Sequence, residues 1–286
     1  MTRALGLSLA LAGLTLTITT RPTTAGARAA ETLRTVYFSA VDGKSAAVSD
    51  LTAADITLKE GGRDQKITKL ELASAPMQIV VIVDDRGTGG FQVALAQFVQ
   101  TTFGKAQYQI AMMNPQSTKL TQGFTGDADP LRAALGRLGQ RGRVDVDGEQ
   151  IVDAVRSAAK DLVQAKAARP VIVVLSASGE TALSDRATEA MNDLKDSGAG
   201  LNVVYFTSAG LGKVLGDGPK QSGGQILPAN GSAAFVQALA RVADSLLHQY
   251  VVTYSLPDGV KMNERLEIKT TRKGLTLVAP TRIPDK

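Results

Sequence analysis

The stretch "VVIVDDRGTGGFQVALAQFVQTTF" (Val80–Phe103) decides how the chain is read. It begins as a run of β-branched apolar residues, stops at Asp84, Asp85 and Arg86, turns through glycines, and resumes as an apolar pattern. A strand that is apolar on both faces belongs inside a sheet covered on both sides. In the second half Phe91, Leu95, Phe98 and Phe103 fall near one face of a helix. Strand, loop and helix in this order predict a βα unit of a parallel sheet, with Asp84 at the carboxyl end of a central strand.

Working outward, the alternation continues. "YQIAMMN" (108–114) reads as a buried strand with Met112 and Met113 in the core, and "TKLTQGF" (118–124) as a more polar edge strand. "DADPLRAALGRLG" (127–139) reads as a helix that Asp129 can cap, with Pro130 in its first turn. In the next helix Ile151, Val155, Ala158 and Leu162 form one stripe. "VIVVLS" (171–176) is a third apolar strand and places Ser176 at another carboxyl end. Ser184 can cap the following helix, which Gly198 ends, and "LNVVYF" (201–206) follows as a strand. Gly210 to Gly224 reads as a glycine-rich loop leading to "GQILP". Ser232 can cap a last helix carrying Phe235, Leu239, Val242 and Leu246. The expected fold class is α/β: an open, mostly parallel Rossmann-like sheet with helices on both faces.

Two β regions flank this core. "LRTVYFSAVDGKSAAV" (33–48) alternates and turns at Asp42-Gly43, and "DITLKEGGRDQKITKLEL" (55–72) shows two alternating runs around Gly61-Gly62, a hairpin signal. "QYVVTYSL", "ERLEIKTT" and "GLTLVAP" return to β after His248. Neither region is large enough to bury a core alone, so they are expected to pair into one small sandwich. The expected division is 1–29 leader, 30–75 N-terminal β segment, 76–247 α/β domain, and 248–286 C-terminal β segment.

The leader reading rests on Arg3, the apolar run "LGLSLALAGLTLTI" (5–18) and the small-x-small "ARA" at 27–29. The run is short for a membrane span of about 20 residues. An exported, periplasmic or secreted protein is therefore expected, free of the membrane after leader cleavage. Removing Arg3, Arg21 and Arg28 from 32 basic residues leaves 29 against 27 acids, so a formal +5 becomes +2. No basic stripe interleaved with aromatics points to nucleic acid. The chain has no cysteine, which excludes disulfides and thiolate chemistry, and a single histidine, His248, within a helical pattern far from any nucleophile signal.

The acid loop admits several chemistries. A phosphate cradle would suit "GTGG" before a helix, but neither G-x-G-x-x-G nor G-x-x-x-x-G-K-[ST] is present, and two acids would repel a phosphate. "DDRGT" looks like the haloacid-dehalogenase signature D-x-D-G-T with Asp84 as nucleophile, and Ser176 resembles that family's second motif. Arg86 stands where the general acid should be, and the later magnesium-holding acids are missing. A solvated loop with a structural ion pair is the plainest alternative.

The widest resemblance runs from Thr32 to Pro284. "DLTAADITLKEGGRDQKI" (50–67), "VVIVDD" (80–85), "IVDAV" (151–155), "VIVVLSASGETALSD" (171–185), "SGGQILPAN" (222–230) and "LLHQYVVTYSLP" (246–257) resemble, in order and spacing, exported bacterial proteins with a von Willebrand factor A-related domain. That resemblance implies a metal-ion-dependent adhesion site of pattern D-x-S-x-S plus a threonine and an aspartate from two other loops. Here Asp84 keeps the aspartate, Arg86 replaces the first serine, and Thr88 replaces the second. Glu149 corresponds to the loop threonine, Ala177 to the distal aspartate, and Ser178 to the usual glycine.

A magnesium ion needs several oxygens at about 2.1 Å. Arginine supplies none and brings a permanent charge, which would pair with Asp84 or Glu149 instead. The expectation is a degenerate, metal-free rim of Asp84, Arg86, Thr88, Glu149 and Ser178, with no cofactor. The resemblance implies a non-enzymatic role in protein–protein interaction or scaffolding with a partner of unknown identity, and an Arg-centred rim would favour an acidic group on that partner. Two alternatives stay open: a magnesium or calcium site rebuilt from Asp84, Thr88 and Glu149, helped by Glu180, and phosphatase chemistry on Asp84.

Overall fold

The computed structural model describes residues 32–180, 185–257 and 259–285. The leader and Ser184, offered above as a helix cap, lie outside the described residues. The α/β body is a six-stranded sheet in the order β10-β9-β8-β5-β6-β7. Its strands are β5 (Met77–Asp84), β6 (Ala106–Asn114), β7 (Gln116–Lys119), β8 (Pro170–Ser176), β9 (Gly200–Phe206) and β10 (Ile226–Ala229). β5 pairs in parallel with β6 and β8, and β8 with β9, which pairs in parallel with β10. β7 turns back antiparallel on β6 as the polar edge.

Alternate residues of β5 explain why both faces are apolar. Met77, Ile79, Val81 and Val83 pack with helices α1 (Gln92–Thr102), α2 (Ala128–Gly136) and α6 (Ser232–Leu247). Val80 and Ile82 pack with α3 (Gly148–Gln164), α4 (Asp185–Ser197) and α5 (Lys213–Ser222). The two-residue side-chain period of the strand thus feeds two separate cores. All four residues of the α3 stripe and all four of the α6 set are buried.

The flanking β regions form two antiparallel sheets. β1 (Thr32–Asp42) lies between β13 (Leu275–Val278) and β11 (Tyr250–Leu256), and β11 pairs onward with β4 (Lys66–Leu72). β12 (Leu266–Thr270), β2 (Ile56–Glu60) and β3 (Arg63–Asp64) make the second sheet. Phe38, Tyr250 and Tyr254 from one sheet share a single core with Leu58, Leu266 and Ile268 from the other. The Gly61-Gly62 turn does make a hairpin, but β3 is brief, and the chain then crosses to add β4 to the other sheet.

Several local readings are corrected. The glycine-rich stretch after Gly210 contains helix α5 rather than a continuous loop. Gly216, Gly218 and Pro219 each weaken a helix on propensity alone. Tertiary packing overrides them. Val214 and Leu215 are buried, and a Cβ at Gly218 would lie 2.8 Å from the Leu201 side chain, so the glycine lets the helix sit close on β9. Phe103 lies just past α1 and is 51 % exposed instead of joining the buried face. Asp127, not Asp129, precedes α2, and Asp129 pairs with Arg132 inside the first turn at 2.6 Å. Ser232 is the first residue of α6, and Gly231 holds the cap position. Met113 is buried, whereas Met112 is half-buried against the core. His248 closes α6, its Nδ1 lying 2.9 Å from the Asp244 carbonyl oxygen.

Candidate functional site

Asp84 is the last residue of β5 and stands in register with Ser176, the last of β8. Its carboxylate is fully buried. Oδ2 accepts from the Ser176 hydroxyl at 2.9 Å and from the Ser178 backbone N–H at 2.8 Å. Oδ1 accepts from the Ser178 hydroxyl at 3.0 Å. Ser176 Oγ in turn accepts the Gly179 N–H at 2.9 Å. The charge is therefore held by three hydrogen bonds from the neighbouring strand end, the arrangement that makes a buried carboxylate tolerable.

Asp85 faces away into the loop and is also buried. Its oxygens accept the N–H groups of Gly87 and Gly89, both at 2.8 Å, so the side chain shapes the turn that follows. Oδ1 also receives Arg141 Nη2 at 2.7 Å. Arg141 belongs to the segment between α2 and α3, which lies along the acid loop. The Arg141 N–H donates to the Gly87 carbonyl at 2.9 Å, and the Val144 N–H to the Arg86 carbonyl at 3.0 Å. The two segments approach so closely that a Cβ on Gly87, whose φ is +80°, would fall 1.8 Å from the Gly142 oxygen.

Arg86 occupies the left-handed region at φ 54°, rare for a residue with a side chain. It is exposed, and its Nε donates to Ser178 Oγ at 3.1 Å. The expected pairing of Arg86 with Asp84 or Glu149 is not what the structure has. Asp84 is already engaged by two serines, and among the described residues no carboxylate lies within 4.0 Å of the Arg86 guanidinium. Thr88 donates its hydroxyl to the Asp85 carbonyl at 2.8 Å and accepts the Gly90 N–H at 3.2 Å, so it serves the turn. Glu149 lies at the start of α3, with its carboxylate 3.5 Å from Arg186.

Of the five residues expected at the rim, the structure thus joins Asp84, Arg86 and Ser178 in one hydrogen-bonded chain and gives Thr88 and Glu149 other partners. The three residues of the alternative cation set each hold a protein partner: Asp84 the two serines, Thr88 the Asp85 carbonyl, and Glu149 Arg186. Glu180 is also spent elsewhere: its buried carboxylate accepts the N–H groups of Val214 at 2.9 Å and Leu215 at 2.6 Å, capping α5 from outside that helix. Burial raises the Glu180 pKa above the ordinary carboxylate range, partly offset by those two amide bonds. Among the described residues no group of three or more His, Cys, Asp or Glu side chains is placed to hold a metal ion. The phosphatase alternative needs an Asp84 oxygen that a substrate can reach, whereas both lie buried under serine donors.

Sequence reasoning missed Arg141 altogether and placed Ser176 only at its strand end. Nothing local marks Arg141, since its partner lies 56 residues earlier. Ser176 could have been found from the parallel pairing of the two strand ends.

A mostly parallel sheet that reverses order beside its central strand, with helices on both faces and an acid loop at the carboxyl end of that strand, is an α/β sheet of Rossmann-like architecture. Solved structures similar to this chain include the von Willebrand factor type A protein from Catenulispora acidiphila. It is 9 % identical over 88 % of this chain and 73 % of that one, with a TM-score of 0.48. The SpRpn10 VWA domain is 12 % identical over 60 % of this chain and 97 % of that one, with a TM-score of 0.46. The PilB minor pilin from Streptococcus sanguinis is 10 % identical with a TM-score of 0.47, and the match spans 62 % of each chain, less than two thirds of the pilin's length. No protein-family model matches the sequence, and a comparison with curated proteins gives no match.

Proposed function

We propose that this is a non-enzymatic, exported interaction protein, in which residues 1–29 direct export and the α/β unit of residues 76–247 rests on a β unit built from residues 30–75 and 248–286. Its acid loop is held together by protein donors in place of a cation and offers Arg86 to a carboxylate on a partner protein. One observation carries this reading. Asp84 has both oxygens occupied by serine hydroxyl and amide protons, while the Arg86 guanidinium beside it is exposed and has no acid within 4.0 Å among the described residues.

The donor set does not fit a divalent cation. Such an ion needs oxygen lone pairs facing it. Here Asp84 is turned onto protons, Ser178 Oγ accepts from a guanidinium, and the Thr88 hydroxyl oxygen accepts the Gly90 N–H. The left-handed backbone at Arg86 supports a role for the side chain. Glycine would adopt that conformation without steric cost, and strain retained at a surface arginine points to a function for its head group. Among the described residues no helix is long and apolar enough to cross a membrane.

Two measurements test the reading. Isothermal titration with magnesium, calcium and manganese should give no heat of binding for the wild type. Saturable binding that Asp84→Ala removes would instead establish the cation site. Quantitative affinity capture from envelope extracts should then recover at least one protein with wild-type bait and lose it with Arg86→Glu. Recovery indifferent to Arg86 would sink the rim assignment.

A further inference from the structure

At the far end of the sheet from Asp84, where the amino ends of β8 and β9 meet β1, there is a cavity of about 230 Å³. Val36, Met191, Leu194 and Ile283 give it an apolar lining, and Arg169 lines it as well. Other cations around it are matched by acids: Arg34 by Glu60 at 2.7 Å, Lys195 by Glu264 at 3.3 Å, and Arg282 by Glu264 at 2.9 Å.

Arg169 differs from all of these. It is only 4 % exposed, yet among the described residues no carboxylate lies within 4.0 Å of it. Its Nε and Nη2 donate to the Gln249 side-chain oxygen at 3.0 and 2.8 Å, and Nη2 also to the Leu246 carbonyl at the end of α6. Nη1 makes one long bond, 3.4 Å, to the Ala75 carbonyl. A guanidinium has five N–H donors, so among the described residues these four bonds leave one N–H on Nη1 unspent. The Tyr37 ring lies 5.7 Å from the guanidinium carbon. Carbonyl dipoles and a ring face ease a buried charge but do not neutralise it. Burial accordingly lowers the Arg169 pKa to about 10.

We infer that this cavity binds a small organic monocarboxylate, its carboxylate on Arg169 and its short hydrocarbon body against Val36, Leu194 and Ile283. A bound carboxylate would supply the missing counter-charge in a low-dielectric site, where charge-assisted hydrogen bonds are strongest. The apolar lining selects against a bare inorganic anion, and the volume, below the range of drug-sized pockets, restricts the ligand to a few carbons.

The test uses hexanoate as the probe on the full chain, read by isothermal titration calorimetry, with hexan-1-ol and inorganic phosphate as comparators. Hexanoate should bind with a Kd of about 1 mM or tighter, hexan-1-ol about tenfold or more weakly, and phosphate more weakly still. Arg169→Gln should abolish hexanoate binding. Because that variant removes bonds to α6, Ala168→Trp provides a second arm: Ala168 is an exposed residue of the cavity lining, and the bulky ring should block entry while cooperative unfolding stays as in the wild type. No heat with hexanoate, equal binding of hexan-1-ol, preference for phosphate, or undiminished binding in a folded Ala168→Trp would each overturn the assignment.

Discussion

Asp85 and Arg141 form an ion pair at 2.7 Å whose carboxylate is almost wholly buried and whose guanidinium is 17 % exposed, and it ties the acid loop to the segment ahead of α3. The metal-ion-dependent site implied by the resemblance would organise its loops around a cation. Here one cationic side chain, reaching from a neighbouring segment, organises the loop around the second acid.

Removing either partner of that pair leaves a charge stranded. Asp85→Ala also loses the bonds to the Gly87 and Gly89 amides, so we expect a loss of about 3–5 kcal/mol. Arg141→Met, at a side chain still touched by solvent, should cost about 2–3 kcal/mol. Urea unfolding reads both. Losses below about 1 kcal/mol in each would show that the loop does not depend on the pair.

Gly87 and Gly62 share nearly the same φ, +80° and +79°, but differ in surroundings. A Cβ at Gly62 meets nothing within 4 Å, whereas at Gly87 it would overlap the Gly142 oxygen. Gly62→Ala should therefore cost only the left-handed strain, about 1 kcal/mol. Gly87→Ala should cost about 3 kcal/mol or more, because backbone must move. Equal thermal shifts in the two variants would contradict the close contact between the loops.

Arg86 should trade stability against binding. Arg86→Gly relieves a left-handed arginine and gives up only an exposed bond to Ser178, so a stabilisation of about 0.5–1 kcal/mol is expected. The same variant should lose the partner recovered by wild-type bait. A destabilised Arg86→Gly protein would mean that the side chain serves the fold.

Glu180 sets a pH dependence of definite sign. Its folded pKa is raised above the ordinary 4.5, mainly by burial. Between those values the folded state holds a proton that the unfolded state has released, so stability falls as pH rises through that window. The contribution is complete below the unfolded value and lost above the folded one. Subtracting the Glu180→Gln stability curve from that of the wild type should leave a difference that declines upward from about pH 4.5 and then levels. A difference that grows with pH would reverse the assignment.

Much of the architecture is legible in the chain because it is encoded locally. The doubly apolar run ending at Asp84, the 3.6-residue stripes of α3 and α6 and the glycine pair of the turn at Gly61-Gly62 are each contained in a short stretch of chain, and burial of the strand on two faces and of each helix on one follows from them directly. That Asp84 stands at the carboxyl end of a central parallel strand follows from the same pattern. What each polar side chain does there does not. Arg141 reaches Asp85 from 56 residues away, and Glu180 caps a helix that starts 33 residues later, one that its own glycines and proline argue against. Hydrogen-bond partners are chosen by proximity after the sheet has formed. Local periodicity carries no record of that choice, so only the tertiary structure could show that Ser176 and Ser178 hold Asp84 and leave Arg86 facing solvent.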